Sequence, residues 1–340
     1  MRFMKICVMH LNQIGDLLFS LPLLKALREN FPQASIHSVV KPYLKELLVG
    51  SPYVDRVLLR ENGLKAKVEL LKTIRTNRYD LLISLSTSEE CLTLTAFSKA
   101  KAKAGFSRFP WNLFLDTTDT IEGHNCWYNN AKLLKRLNIP INQNDYVGLL
   151  SLDQNECNLN LPDKFVIISP GASRRRFAKT WGEEKFAELM VLLKDTYNLN
   201  PVLVGGNDNL EYNKTIIKNV KAKGRGKDMD VINTTGTGLR ELCCMIKDAS
   251  LFVGIDSGIM HLASSLDIPV VGIFGPTDPF YVGPQNHRSI VVREDEMTCV
   301  PCYLKACDHR DCMRKLSVDK VLRACDQILR DAAYEEQNVK

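Results

Sequence analysis

No apolar stretch of this 340-residue chain reaches the roughly 18 residues that a membrane-spanning helix requires. The opening MRFMKICVMHLNQIGD also lacks the long uninterrupted apolar run of a signal peptide, and it reads as a first strand. Short-period repeats and low-complexity tracts are absent. What remains is the profile of a soluble globular protein, expected in the cytosol, with 45% hydrophobic and 25% charged residues. The eleven cysteines are odd in number, which excludes a fully paired disulfide framework. In the cytosol they are reduced thiols or metal ligands.

The length exceeds what one compact core serves, so two domains are expected. The net charge of +6 is uneven. Residues 1–150 carry 20 Lys and Arg against 13 Asp and Glu, while the remainder carries 25 against 26. A basic first half suits an anionic partner such as an acidic substrate, a membrane surface or nucleic acid. A merely solvated basic face is the plainer alternative.

Apolar strand-like runs alternate with helical spacing along the chain. KICVMHL (5–11) precedes a helix over 16–29. SIHSVV (35–40), VDRVLL and YDLLISLS follow, with a helix over 64–77 between the last two and another over 125–139. SKAKAKAGFSRF (98–109) reads as a strand edge and loop. The polar stretch 151–164 has no periodicity and reads as a linker. A second alternation starts at FVIISPGAS (165–173) and continues through helices near 181–197, 209–222 and 239–249 to LFVGI, IMHLASSLD and VVGIFGP. Such alternation builds parallel sheets joined by crossover helices. The chain is therefore expected to be α/β, two doubly wound domains spanning 1–157 and 158–340, with a last helix free to return onto the first domain.

Ligands of open α/β sheets bind beyond the carboxyl ends of the strands. Five such ends carry polar residues or glycine: QIGD, PGAS, VGGND, GIDSG and FGPTDP. In GIDSGIMH, Gly254 and Gly258 permit a tight strand-to-helix turn. Ser257 and Gly258 offer amides to a phosphate at the helix start. Asp256 suits a cap or a sugar hydroxyl, and His261 a contact to the anion. An ordinary capped helix with a packed histidine is the alternative. After Ser173, the loop bearing Arg174, Arg175 and Arg176 brings Lys179 to the next helix, where a cation can neutralise a departing diphosphate. A solvated basic loop is the alternative there. Asp16 either caps the helix of 16–29 or serves as a general base for an acceptor hydroxyl.

QIGDLLFSLPLLKALR, PGAS with Lys179 and Trp181, and GIDSGIMHLASSLDIPVVGIFGPTDP together resemble glycosyltransferase family 9, the ADP-heptose:lipopolysaccharide heptosyltransferases. The likeness runs from about residue 5 to about residue 325 and is thinnest in the middle of the first half. It implies a GT-B fold, two Rossmann-like domains facing a central cleft, with the acceptor on the first and the nucleotide-sugar on the second. It implies inverting transfer without a tightly bound metal or other cofactor. Asp16 then matches the base, Lys179 the diphosphate lysine, and Asp256, Ser257, Gly258 and His261 the donor loop. Ser173, Gly205, Gly206 and Asp208, with Glu211 as the other choice of acid, complete the expected donor site. The acceptor would be the anionic lipopolysaccharide core rather than nucleic acid. It would lie near Lys99, Lys101, Lys103 and Arg108, with peripheral contact at the inner face of the inner membrane. The three successive arginines before Lys179 depart from the family pattern and leave the donor sugar open.

CVPCYLKACDHRDC (299–312) sets Cys299, Cys302, Cys307 and Cys312 around His309. The spacing could close a tetrahedral zinc site, but it is not that of a zinc ribbon, and reduced thiols in a compact loop are expected. Two other functions remain open. An epimerase or hydrolase of nucleotide sugars would consume donor without acceptor. A non-catalytic nucleotide-binding protein would tolerate loss of Asp16.

Overall fold

The computed structural model describes residues 4–124, 126–151, 160–171, 174–223 and 229–338. The expected linker, 151–164, lies largely outside them. The chain divides into two compact units, Met1–Asp153 and Gln154–Lys340.

The first unit runs β1 (Lys5–Met9), α1 (Ile14–Leu18), α2 (Leu21–Asn30), β2 (Ser35–Val40), β3 (Arg56–Leu59) and α3 (Leu64–Asn77). It continues with β4 (Leu81–Ser84), α4 (Glu89–Ala96), β5 (Ala102–Phe106), β6 (Thr117–Asp119) and α5 (Cys126–Arg136). The second begins with β7 (Phe165–Ser169), α6 (Glu183–Tyr197), β8 (Asn200–Leu203), α7 (Leu210–Ala222), β9 (Ile232–Asn233), α8 (Leu239–Lys247) and β10 (Leu251–Ile255). It ends with α9 (Gly258–Ser265), β11 (Val270–Ile273), α10 (Pro279–Val282), β12 (Ser289–Val292), α11 (Asp311–Arg314) and α12 (Val318–Asn338).

Each unit holds a six-stranded sheet, ordered β3-β2-β1-β4-β5-β6 and β12-β11-β10-β7-β8-β9. Every pairing is parallel. Counted within its own unit, each order is 3-2-1-4-5-6, the Rossmann arrangement. Strands covered by helices on both faces read as continuous apolar runs. FVIIS and LFVGI are buried at every position, and KICVM at all but its first. The order also fixes where a ligand can sit. The order in which strands are added reverses between β1 and β4, and again between β7 and β10. A crevice opens there at the carboxyl ends.

The helix expected over 16–29 is two helices. Pro22 has no amide to donate to the carbonyl of Leu18, so the first helix stops there. Ser20 N-caps the second and turns its Oγ onto the Leu17 carbonyl at 2.6 Å. The last helix, α12, packs on α6, β11 and β12 of its own unit. Among the described residues no helix is long and apolar enough to cross a membrane.

Candidate functional site

In the first unit the chain leaves β1 at the switch point through His10–Gln13 and enters α1. Gln13 is the N-cap of α1, and Asp16 lies inside the first turn. Asp16 is therefore not the cap that its sequence position allows. It is half-buried, and the Cys126 thiol at the start of α5 donates to its Oδ1 at 3.4 Å. Burial, and after it the Asp16 charge, push the Cys126 thiol far up, so it stays protonated and able to donate.

The loop before α1 is tied down by residues that sequence reasoning missed. Arg60, at the carboxyl end of β3, is 1% exposed. One guanidinium nitrogen donates to Glu90 Oε2 at 2.8 Å, and the other to the His10 carbonyl at 3.3 Å and to Asn12 Oδ1. Tyr43 Oη donates to the Asn12 carbonyl. Glu90 also lies 3.4 Å from Lys67 and 3.9 Å from Lys41, so three cations surround one carboxylate. His10 sits between Ser20 Oγ at 2.8 Å and Ser38 Oγ at 3.2 Å. Burial, and then the charge of Arg60, hold its imidazole down to about 3, so it is neutral.

The basic residues around β5 do not gather at this end. Lys101 precedes the strand and pairs with Asp80 at 2.8 Å, at the amino end of the sheet. Lys103 lies within the strand, its amide donating to Asp116. Lys99 is exposed with a left-handed backbone, φ 60°. Only Arg108 follows the strand, donating to the Thr87 carbonyl at 2.7 Å and to Glu89 at the start of α4.

In the second unit the switch point gathers three loops. Gly254 allows a close approach of backbone to backbone: a Cβ there would stand 2.7 Å from the Ser169 carbonyl of the neighbouring strand β7. Beyond β10, Ser257 is the N-cap of α9 and accepts the Met260 amide at 3.4 Å. That leaves Asp256, 7% exposed, free of capping. Its Oδ2 accepts instead from Lys179 Nζ and from Thr277 Oγ1, the latter at 2.7 Å. Lys179 comes from the loop after β7, Asp256 from that after β10 and Thr277 from that after β11. Three strand ends far apart in sequence thus meet at one buried ion pair. His261 is 4% exposed on α9. Burial lowers its pKa to about 4, with Asp256 opposing and Lys179 adding to the effect, so it would meet an anion as a neutral donor.

Ser173 lies outside the described residues. After β8, Gly205 has φ +156° and Gly206 is exposed. Asp208 is exposed in the turn Asn207–Asn209, and Glu211 is taken up by Lys214 at 2.8 Å. Asn209, which sequence reasoning passed over, is buried in the same turn. A Cβ on Gly171 would collide with its amide at 2.3 Å, so two glycines mould the chain around it. The paired glycines of PGAS and VGGND were the available signal.

Cys299 is exposed, Cys302 and Cys307 are half-buried and Cys312 is buried, all as free thiols. Burial, and then its neighbours Cys299, Cys302 and Cys307, push Cys312 up to about 11. Among the described residues no group of three or more His, Cys, Asp or Glu is arranged to hold a metal ion.

A family profile described as Glycosyltransferase family 9 (heptosyltransferase) matches residues 68–312. Lipopolysaccharide heptosyltransferase 3 of Escherichia coli K12 is 24% identical, across 96% of this chain and 98% of that protein. Lipooligosaccharide heptosyltransferase 2 of Campylobacter jejuni is 25% identical, across 97% and 99%. The solved structure of the E. coli ADP-heptose lps heptosyltransferase II superposes with a TM-score of 0.80 at 21% identity, over 97% of this chain and all of that one.

Proposed function

The chain belongs to glycosyltransferase family 9, the heptosyltransferase family, and from that premise we propose that it moves a heptose from ADP-heptose to the inner core of lipopolysaccharide with inversion. Asp16 takes the proton of the acceptor hydroxyl. The hydroxyl oxygen then bonds to the anomeric carbon as that carbon's bond to the diphosphate breaks, and ADP leaves. Lys179 meets the charge that develops on the departing diphosphate, and the amides of Ser257 and Gly258 at the start of α9 receive its oxygens. His261, kept neutral by burial, adds a hydrogen bond without adding charge. Gly205, Gly206 and Asp208 belong to the nucleoside end of the donor.

The observation that carries this reading is the meeting of Lys179, Asp256 and Thr277 at one switch point. A buried lysine beside helix amides is suited to a diphosphate. Asp16 supports the rest, as a carboxylate in the first turn of the helix at the other switch point, where Gln13 is the N-cap. Arg108 is the acceptor contact retained here, while Lys101 and Lys103 enter as surface charge that draws in an anionic acceptor. The names of the relatives support the donor and acceptor classes. A nucleotide-sugar donor would place the work on the cytoplasmic side, and a lipopolysaccharide acceptor would bring it to the inner face of the inner membrane.

Calorimetry with ADP, UDP and GDP, paired with an ADP-release assay on ADP-heptose and inner-core saccharide, tests the proposal. ADP should bind selectively and weaken on Lys179→Ala. Asp16→Asn should abolish transfer and leave ADP binding intact. A preference for UDP or GDP would remove heptose from the reading. Full transfer by Asp16→Asn would remove the base.

A further inference from the structure

The proposed chemistry leaves the cysteine-rich segment without a task, yet that segment touches the donor loops at many points. Its contacts surround Lys179 in sequence. The Arg310 guanidinium lies over the Phe177 ring, 4.1 Å from its centroid. The Ala178 amide donates to the Lys305 carbonyl at 3.1 Å. Arg310 also donates to Thr180 Oγ1 at 2.8 Å, and the Trp181 indole N–H donates to the Leu316 carbonyl at 2.9 Å. Residues 177, 178, 180 and 181 are each held from one segment, while the Lys179 side chain between them turns to Asp256.

The same segment holds the Thr277 loop. The amides of Cys302 and Tyr303 both donate to the Pro276 carbonyl, at 3.0 and 2.8 Å. Cys312 and Met313 pack on Gly275, where a Cβ would meet Met313 Sδ at 2.4 Å. Two of the three loops that meet at Asp256 thus rest on residues 302–316. Arg310 itself sits in a left-handed conformation, φ +47°, that a non-glycine residue adopts at some cost. Its amide donates to Cys307 Sγ at 3.4 Å. A planar guanidinium that stacks on one residue and donates to another is not replaceable by lysine without loss.

We propose that the cysteine-rich segment is the buttress of the donor site, and that Arg310 is a positioning residue that presents Lys179 to the diphosphate. It touches neither donor nor acceptor and acts through the loop on both sides of Lys179. The inference rests on the reading of Lys179 as a diphosphate contact.

The test is ADP affinity by calorimetry for Arg310→Ala, Arg310→Lys and Phe177→Leu, each made alone and in the Lys179→Ala background, with thermal unfolding of every variant. Phe177 is half exposed, so Phe177→Leu keeps the fold and the experiment interpretable. Arg310→Ala is expected to weaken ADP roughly tenfold or more, since small misplacements of a positioned group are costly. Arg310→Lys should recover part of that loss, and Phe177→Leu should lose less than Arg310→Ala. In the Lys179→Ala background none of the three should weaken ADP further, because residues that act through one group are not additive. Unchanged affinity for Arg310→Ala and Phe177→Leu, with Lys179→Ala still impaired, would overturn the buttress and leave the Lys179 reading standing. Full affinity in Lys179→Ala alone would overturn both. Equal losses in the two backgrounds would make Arg310 a structural residue only.

Discussion

A guanidinium as buried as that of Arg60 is tolerated only with its partners in place. Three oxygens supply them: Glu90 Oε2, the His10 carbonyl and Asn12 Oδ1. Two of those oxygens belong to the loop that leads to Asp16, so Arg60 joins the stability of the first unit to the placement of the proposed base. Arg60→Met should lower the unfolding free energy by about 3 kcal/mol, the usual result of breaking a buried pair from one side. Adding Glu90→Met should restore part of it, and urea unfolding of the single and double variants measures both. A single variant as stable as wild type would show that Glu90 is content with Lys41 and Lys67. Nothing in RVLLRENG announced this role. The residues Arg60 serves lie 30 to 50 positions away, and only the order β3-β2-β1-β4 brings them to one edge. Asp16 was legible as a polar residue after a first strand. Whether it capped a helix was not, because that depends on where the helix starts. Gln13 holds that place.

The elements themselves were largely readable, because strands covered on both faces must be apolar throughout and helices between them must be amphipathic. The helix of 16–29 misled because its apolar spacing continues across Pro22, and spacing does not register a missing amide. The charge around β5 misled in another way. Lys101 precedes a parallel strand and Arg108 follows it, so the two stand at opposite ends of a five-residue element roughly 17 Å long. Composition gathers them, and strand direction separates them. Close approach between elements was legible only as glycine. At Gly254 an added methyl would press on the Ser169 carbonyl at 2.7 Å and on Ser169 Cβ at 2.8 Å, and β7 cannot yield without opening the sheet. Gly254→Ala should therefore cost about 2 kcal/mol or more and weaken ADP, because the Asp256 loop begins two residues on. At Gly272 the nearest atoms to the same methyl are on the side chains of Met260 and Phe274, at 3.1 Å each. Gly272→Ala should be the milder change. Equal melting temperatures for the two variants would show that β7 and β10 can separate without penalty.

Both units keep histidines out of water, and this gives the whole molecule an acid limit. His10 and His37 lie in the first unit and His261 in the second, each no more than 5% exposed. Burial is the first cause in all three and lowers each pKa, to about 3 for His10 and about 4 for His261, with Arg56 second at His37. A folded-state value below the unfolded value of about 6.5 means that the unfolded chain binds the proton first. Stability is therefore complete above pH 6.5 and falls as the pH drops toward the folded values. The paired carboxylates act lower. Asp55, Asp80, Glu90 and Asp119 are all held below their ordinary range by cations or amides. Their contribution is present above the unfolded carboxylate values near 4 and is lost below them. Between about pH 6.5 and 4.5 the slope thus belongs to the histidines. Melting temperature should be flat from pH 8 to 7 and decline through that window. His261→Asn should reduce the decline, because asparagine has no proton to take up. Each pKa unit by which burial depresses a histidine corresponds to about 1.4 kcal/mol of stability lost on acidification. A melting temperature that stayed level down to pH 4.5 would mean that these imidazoles take up protons without unfolding. His261 would then meet the diphosphate as a cation in mild acid, and ADP affinity would rise as the pH fell.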